Sequence, residues 1–173
     1  GTLEHDVTDA LQRHGVAPNL LELEITETSL LANLEGALTQ IAALRSRGIH
    51  FALDDFGTGY SSLGYLGRLP VDRIKIDRSF VMALDTAEGR RIVRAITDLA
   101  RGLSLKITAE GVENEGQANR LREFGCDELQ GFLYARAMPA HVITETNRPG
   151  RRPTRRDAIM RPIEAGSGGG MIR

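Results

Sequence analysis

Cysteine is almost absent from this chain: one residue, Cys126, in 173. That excludes an internal disulfide, and with no Cys or His partner at metal-ligand spacing it also excludes a thiolate zinc site. Such a cysteine reads as a small buried hydrophobe, and the chain fits a reducing compartment. No apolar run approaches the ~20 residues that a membrane helix needs, and no basic-then-apolar leader opens the sequence. The expectation is a soluble, cytoplasmic protein with no membrane segment. An excess of either charge is missing too: 22 Lys and Arg stand against 23 Asp and Glu, with no long one-signed block in the first 145 residues. That removes the electrostatic case for a nucleic-acid polymer or a membrane surface as partner. There is no nucleophilic-serine elbow and no phosphate-loop lysine motif.

What the chain does contain is alternation. Leu3, Val7, Ala10 and Leu11 recur at helical spacing up to a stop at Gly15, predicting a first helix from Leu3 to His14. A strand-length run follows at Leu20 to Ile25, then an amphipathic stretch from Leu34 to Arg47 and a second strand at Ile49 to Leu53. Further strands are predicted at Val71 to Ile76, Leu103 to Thr108 and Glu128 to Leu133, with helices around Glu88 to Arg101 and Glu115 to Phe124. Strands separated by helices of this length are joined by right-handed parallel crossovers, so the fold class is α/β, either a doubly wound sheet or a (β/α) barrel. A chain of this length holds one core, assigned to residues 1–145. Residues 146–173, rich in Arg, Gly and Pro, cannot bury enough apolar surface to order and are expected to form a disordered tail.

Polar groups fall at the C-terminal ends of the predicted strands: Glu24 and Glu27, Asp54 and Asp55, Lys75, Glu110 and Glu113, and Gln130. In a parallel barrel that rim is where residues from several strands meet to do chemistry. Each has a plain alternative. Asp54 and Asp55 precede the glycine-containing run Phe56 to Ser62 and could cap a turn; Glu24 and Glu27 could be solvated; Lys75 could snorkel; Glu110 and Glu113 could start the following helix; Gln130 could satisfy neighbouring backbone. Together they form an oxygen-rich set suited to a hard divalent cation, with one ammonium suited to developing negative charge. Metal-assisted hydrolysis is the reaction class that best uses carboxylates and one lysine.

These residues lie in runs that resemble a known family. Leu23-Glu24-Ile25-Thr26-Glu27-Thr28, Ala52-Leu53-Asp54-Asp55-Phe56-Gly57-Thr58-Gly59-Tyr60-Ser61-Ser62-Leu63, Ile74-Lys75-Ile76-Asp77-Arg78-Ser79-Phe80-Val81, Ala109-Glu110-Gly111-Val112-Glu113 and Gly125-Cys126-Asp127-Glu128-Leu129-Gln130-Gly131-Phe132 look like successive motifs of the EAL-type domain, in order, from about Gly15 to Pro139. The resemblance implies a TIM-like (β/α) barrel that hydrolyses cyclic di-GMP to linear pGpG with two Mg²⁺ or Mn²⁺ ions. It implies Glu24, Asp54 and Asp55 as metal ligands, with Asp54 bridging, Lys75 as the residue that orients or activates the water, and Glu110 as general base or water-mediated ligand. Glu113 and Gln130 are implied to support the metal-water network and the nucleotide, and Glu27 to steady the loop Phe56 to Ser62, through which a homodimer is expected. The family's Glu-Ala-Leu strand and a following Asn strand, both sources of metal ligands, have no counterpart before Glu24. An N-terminally incomplete barrel of about five strands is therefore expected, and an inactive nucleotide-binding or protein-interaction module, or a truncated remnant, stands beside the enzyme as an alternative. A barrel aldolase or isomerase would need a phosphate-binding glycine loop near the last strands, which Glu128 to Tyr134 does not supply.

Overall fold

The computed structural model of the chain describes residues 3–57, 66–139 and 142–143. Five strands, β1 (Glu22–Thr26), β2 (His50–Phe56), β3 (Arg73–Ile76), β4 (Lys106–Ala109) and β5 (Glu128–Leu129), form one sheet in the order β1-β2-β3-β4-β5, with every neighbouring pair parallel. The spatial order follows chain order without reversing. Right-handed crossovers in such a sheet all pass over the same face, so there is no switch point of the doubly wound kind. Of the two architectures open from the sequence, this is the barrel type.

Helix α1 (Leu3–His14) and α6 (Glu115–Phe124) fall where their periodicity predicts, and α3 (Leu34–Arg45) and α5 (Ala87–Gly102) lie within a residue or two of expectation. Helix α5 shows why: Val93, Ile96, Thr97 and Ala100 are buried at i, i+3, i+4 and i+7, a single stripe against the sheet. Two short helices, α2 (Glu27–Ala32) and α4 (Arg78–Met82), were not foreseen. Both open at polar N-caps that directly follow strands, where the Thr26 hydroxyl accepts from Ser29 N and the Asp77 carboxylate from Ser79 N.

The apolar face carries Phe51, Leu53, Ile74, Ile76, Ile107, Ala109 and Leu129, all under 5 % exposed and packed with Leu30, Leu44, Val93 and Leu121 from the helices. Alternation puts the other strand residues on the opposite face: Glu22 and Glu24, Arg73 and Lys75, Thr108, and Glu128. Side-chain contacts across that polar face climb. Glu24 stands beside Ala52 and Ala52 beside Arg73, yet Arg73 pairs with Glu22, two residues lower on β1. Lys75 stands level with Thr108 and Glu128, yet Glu128 reaches down to Arg73. A climb of two residues from β1 to β3, and two more from β3 to β5, is one residue per strand. One residue per strand matches the stagger of eight-stranded parallel barrels, in which alternate strands supply each interior layer. The polar face is thus the concave, interior face.

Strand β5 is shorter than the expected Glu128 to Leu133 because the chain turns in at Gly131. A Cβ there would lie 2.2 Å from both N and O of Val112, so only glycine admits the approach. Val112 N donates to Gln130 O at 3.0 Å and Leu133 N donates to Val112 O at 2.9 Å, stitching the segment after β4 to the segment after β5. No helix among the described residues is long and apolar enough to cross a membrane. The segment 146–173, expected to be disordered, lies outside the described residues.

Cys126 is buried, and burial followed by the nearby Asp127 charge pushes its thiol up to about 12. Ellman's reagent at pH 8 is expected to leave the native chain unmodified and to titrate one thiol after unfolding in urea; reaction of the native chain at the free-thiol rate contradicts this packing. Gly131→Ala is expected to lower stability by about 1–3 kcal/mol, since the added methyl must displace backbone. Urea unfolding followed by circular dichroism measures it.

Candidate active site

The rim at the C-terminal ends of the strands is organised by one cation. The Lys75 side chain is 8 % exposed, and its Nζ lies 2.6 Å from Glu24 Oε1, 3.2 Å from Asp54 Oδ1 and 2.6 Å from Glu110 Oε1. Four strands converge here: Glu24 from β1, Asp54 from β2, Lys75 from β3, and Glu110 directly after β4, where its N–H still extends the ladder by donating to Ile76 O. Lys75 lies on the interior face because Ile74 and Ile76, its neighbours, fill the helix side. Burial alone would lower its pKa. Hydrogen bonds with Glu110 and Glu24, and then the charges of Glu110 and Asp54, outweigh that and hold the ammonium well above the ordinary lysine value.

Three carboxylates around one ammonium leave a formal surplus of two negative charges. Asp54 Oδ1 is buried and accepts no hydrogen bond among the described residues, the Lys75 ammonium 3.2 Å away making an ion pair with it. A buried carboxylate oxygen without a donor is costly unless a further cation or donor reaches it. Among the described residues no three His, Cys, Asp or Glu side chains stand in the arrangement that holds a metal ion by themselves, the Lys75 ammonium lying between the acids. All-oxygen donors, surplus negative charge and an orphaned buried oxygen fit a hard divalent cation.

Asp55 follows Asp54 at a β-bulge. Leu53 pairs with Ile74 and Phe56 with Ile76, so β2 carries one extra residue between them, and Asp55 adopts a left-handed φ of 54° there. The bulge breaks the strict alternation that would send two successive aspartates to opposite faces. Asp55 is exposed at the strand end.

The remaining predicted residues surround this cluster. Glu27 is buried as the first residue of α2. The loop that it is expected to steady lies, from Thr58 onward, outside the described residues. Glu113 pairs with Arg78 at 2.7 Å, and its N–H donates to the Gln117 side chain at 2.8 Å. Glu110 and Glu113 do not open the following helix: it starts at Glu115, capped reciprocally by Asn114 and Gln117. Gly111 between them has φ +70°, and a Cβ there would meet the Arg78 side chain at 2.2 Å, so glycine lets this turn lie against the pair partner of Glu113. Gln130 is exposed just beyond β5, its N–H donating to Ala109 O at 2.8 Å.

Sequence reading missed the layer beneath. Arg73 is buried with its guanidinium on Glu22, Thr108 and Glu128, each two residues before a residue already singled out or level with one. The signal was present as i, i+2 spacing: Glu22 and Glu24, Arg73 and Lys75, Glu128 and Gln130.

Comparison with known proteins places this arrangement. A family model described as EAL domain matches residues 2–137. The protein named Cyclic di-GMP phosphodiesterase NbdA from Pseudomonas aeruginosa is 43 % identical over 145 residues, covering 83 % of this chain and 18 % of that protein. The solved PaMucR phosphodiesterase in complex with c-di-GMP superposes with a TM-score of 0.78 at 46 % identity, over 82 % of this chain and 57 % of that one. The Klebsiella pneumoniae BlrP1 structure with manganese and cyclic di-GMP gives a TM-score of 0.69 at 32 % identity, over 74 % of this chain and 33 % of that one. The chain spans under a quarter of the length of curated relatives such as NbdA, and little more than half of the PaMucR structure. With the family model covering most of its length and these relatives well above 30 % identity, the chain belongs to the EAL domain family.

Proposed function

We propose that this chain carries the reaction side of a metal-dependent phosphodiesterase that opens one phosphodiester of cyclic di-GMP to give linear pGpG. The observation that carries the reading is the Lys75 ammonium held among Glu24, Asp54 and Glu110 at the C-terminal rim of a barrel-type sheet. Glu24, Asp54 and Asp55 are the residues that would hold Mg²⁺ or Mn²⁺. When bound, such ions supply an acidified water and neutralise charge on the phosphate. The c-di-GMP and manganese named with the solved relatives support both assignments.

The protein's own part follows from charge. Its carboxylate partners hold the Lys75 ammonium above the ordinary lysine value, so it serves as a positive charge facing the attacked phosphate and its water. Glu110, its carboxylate 2.6 Å from that ammonium, is the group placed to take the water proton as the water oxygen bonds to phosphorus. The bond from phosphorus to the ribose oxygen on the far side breaks, and that oxygen leaves, taking a proton from solvent. Glu113, Gln130 and Glu27 hold the flanks of this site.

Incubation of the purified chain with cyclic di-GMP and Mn²⁺, followed by chromatography for pGpG, tests the reading. Product is expected with metal and is expected to vanish in Asp54→Ala. Nucleotide binding without product would leave the binding-module alternative in its place. In an active chain, Lys75→Met is expected to lower kcat by roughly 10²–10³-fold, the scale for removing one electrostatic contact to a transition state.

Lys75 also fixes a pH dependence. Its folded value lies above the unfolded one, so its contribution to stability is complete below about pH 10.4 and is lost only as pH rises through the raised value. Unfolding midpoints between pH 7 and 10 are expected to show no loss that is abolished in Lys75→Met; such a loss would mean that the ammonium is not held as described.

A further inference from the structure

Beneath the Lys75 layer, about 6.6 Å lower along β3 at two strand residues, lies a second cation on the same interior face. The Arg73 side chain is 11 % exposed and uses its fork fully: Nε donates to Glu22 Oε2 at 3.0 Å, one terminal nitrogen lies 2.7 Å from Glu128 Oε2 and donates to Thr108 Oγ1 at 2.6 Å, and the other donates to Glu128 Oε1 at 3.0 Å. The contacts reach β1, β4 and β5 from β3. Interior layers of such barrels are ordinarily filled by branched apolar residues. An ionic layer here needs a reason, because burying charge tends to cost as much as the pairing returns.

We propose that Arg73 is a positioning residue: its fork, gripping Glu22 on β1 and Glu128 on β5, fixes the curl and stagger of the sheet that bring Glu24 and Glu110 onto Lys75 one layer above. The geometry is direct. Glu22 and Glu24 are i and i+2 on one strand, as are Arg73 and Lys75, so locking the lower pair at its offset of two residues imposes the same offset on the upper pair. A bidentate carboxylate contact restricts direction as well as distance, which a point charge or an apolar contact does not. A slip of one residue would turn Arg73 into the helix-facing core, so the pair also selects the register. Burial alone would lower the pKa of Arg73, but the hydrogen bonds with Glu22 and Glu128 outweigh it, so the guanidinium keeps its charge at any working pH.

The proposal rests on the Lys75 layer being the active rim, and its test reads that layer without needing catalysis. The sequence has only two lysines, Lys75 and Lys106, so lysine-selective ¹⁵N labelling of the full chain yields two side-chain signals. The Lys75 ammonium, held in hydrogen bonds and largely buried, is expected to be the slowly exchanging one, assigned by its loss in Lys75→Met. In the triple variant Glu22→Gln/Arg73→Met/Glu128→Gln, which removes the ion cluster without stranding a charge, the unfolding midpoint is expected to stay near that of the parent. Its Lys75 signal is expected to broaden or shift, and Mn²⁺ affinity read by electron paramagnetic resonance to weaken by about tenfold or more. Leu121→Ala, a core change on the buried face of helix α6, is expected to lower stability while leaving the Lys75 signal in place. A folded triple variant with the parent's Lys75 signal and Mn²⁺ affinity overturns the proposal. Should the triple variant not fold, Glu128→Gln alone decides, its side chain being 24 % exposed: a displaced Lys75 signal supports the role and an unchanged one refutes it. Failure of the parent to bind Mn²⁺ or to form pGpG would count against the proposed function and leave the Lys75 signal as an independent reading of Arg73.

Discussion

The structure turns on one ammonium. Lys75 is a long, flexible, strongly hydrated side chain, and holding it on the inner face of a sheet costs desolvation that only close carboxylates offset. Three of them arrive from three different strands. The convergence requires parallel strands in chain order, a stagger of one residue per strand and an apolar opposite face that admits no alternative register. Fold and site are in this sense the same constraint: what buries Ile74 and Ile76 against the helices also presents Lys75 to the rim.

Chemistry follows from the imbalance that this creates. One ammonium does not neutralise Glu24, Asp54 and Glu110, and among the described residues Asp54 Oδ1 accepts no hydrogen bond. An oxygen-lined site with surplus negative charge fits a hard cation. Membership of the EAL domain family agrees with that physical reading, which rests on the residues themselves. Backbone exceptions support it: the bulge at Asp55, the left-handed turn at Gly111 and the close approach at Gly131 all lie at this rim, where strands end and functional groups are aimed.

Much of this was legible from residue order. Helices α1 and α6 match their predicted bounds because their apolar stripes and stop signals are local. The strand cores were legible from alternation. Helices α2 and α4 were missed although Thr26 with Ser29, and Asp77 with Ser79, carry N-cap chemistry; both helices are under two turns and too short for periodicity to register. Strand β5 was overestimated because Leu129, Phe132 and Leu133 extend the apolar pattern past Gln130 and Gly131, while the turn at Gly131 depends on Val112, a residue 19 positions away in the chain. Arg73 was passed over because a charged residue at a strand start is ordinarily solvated, and nothing local tells that Glu22 and Glu128 lie within its reach.

Residue order by itself therefore settled the classes of element, the alternation of charged and apolar residues along each strand, and the acids and lysine that meet at the rim, since these depend on contacts within a few residues. It left open whether the sheet is wound on one face or both, which acids share one cation, and that a second cation lies beneath. Those depend on strand order and stagger, which are properties of packing between segments tens of residues apart. Arg73 meets Glu22 and Glu128 two residues away from the strand register on either side, and only the assembled sheet brings those residues within its reach.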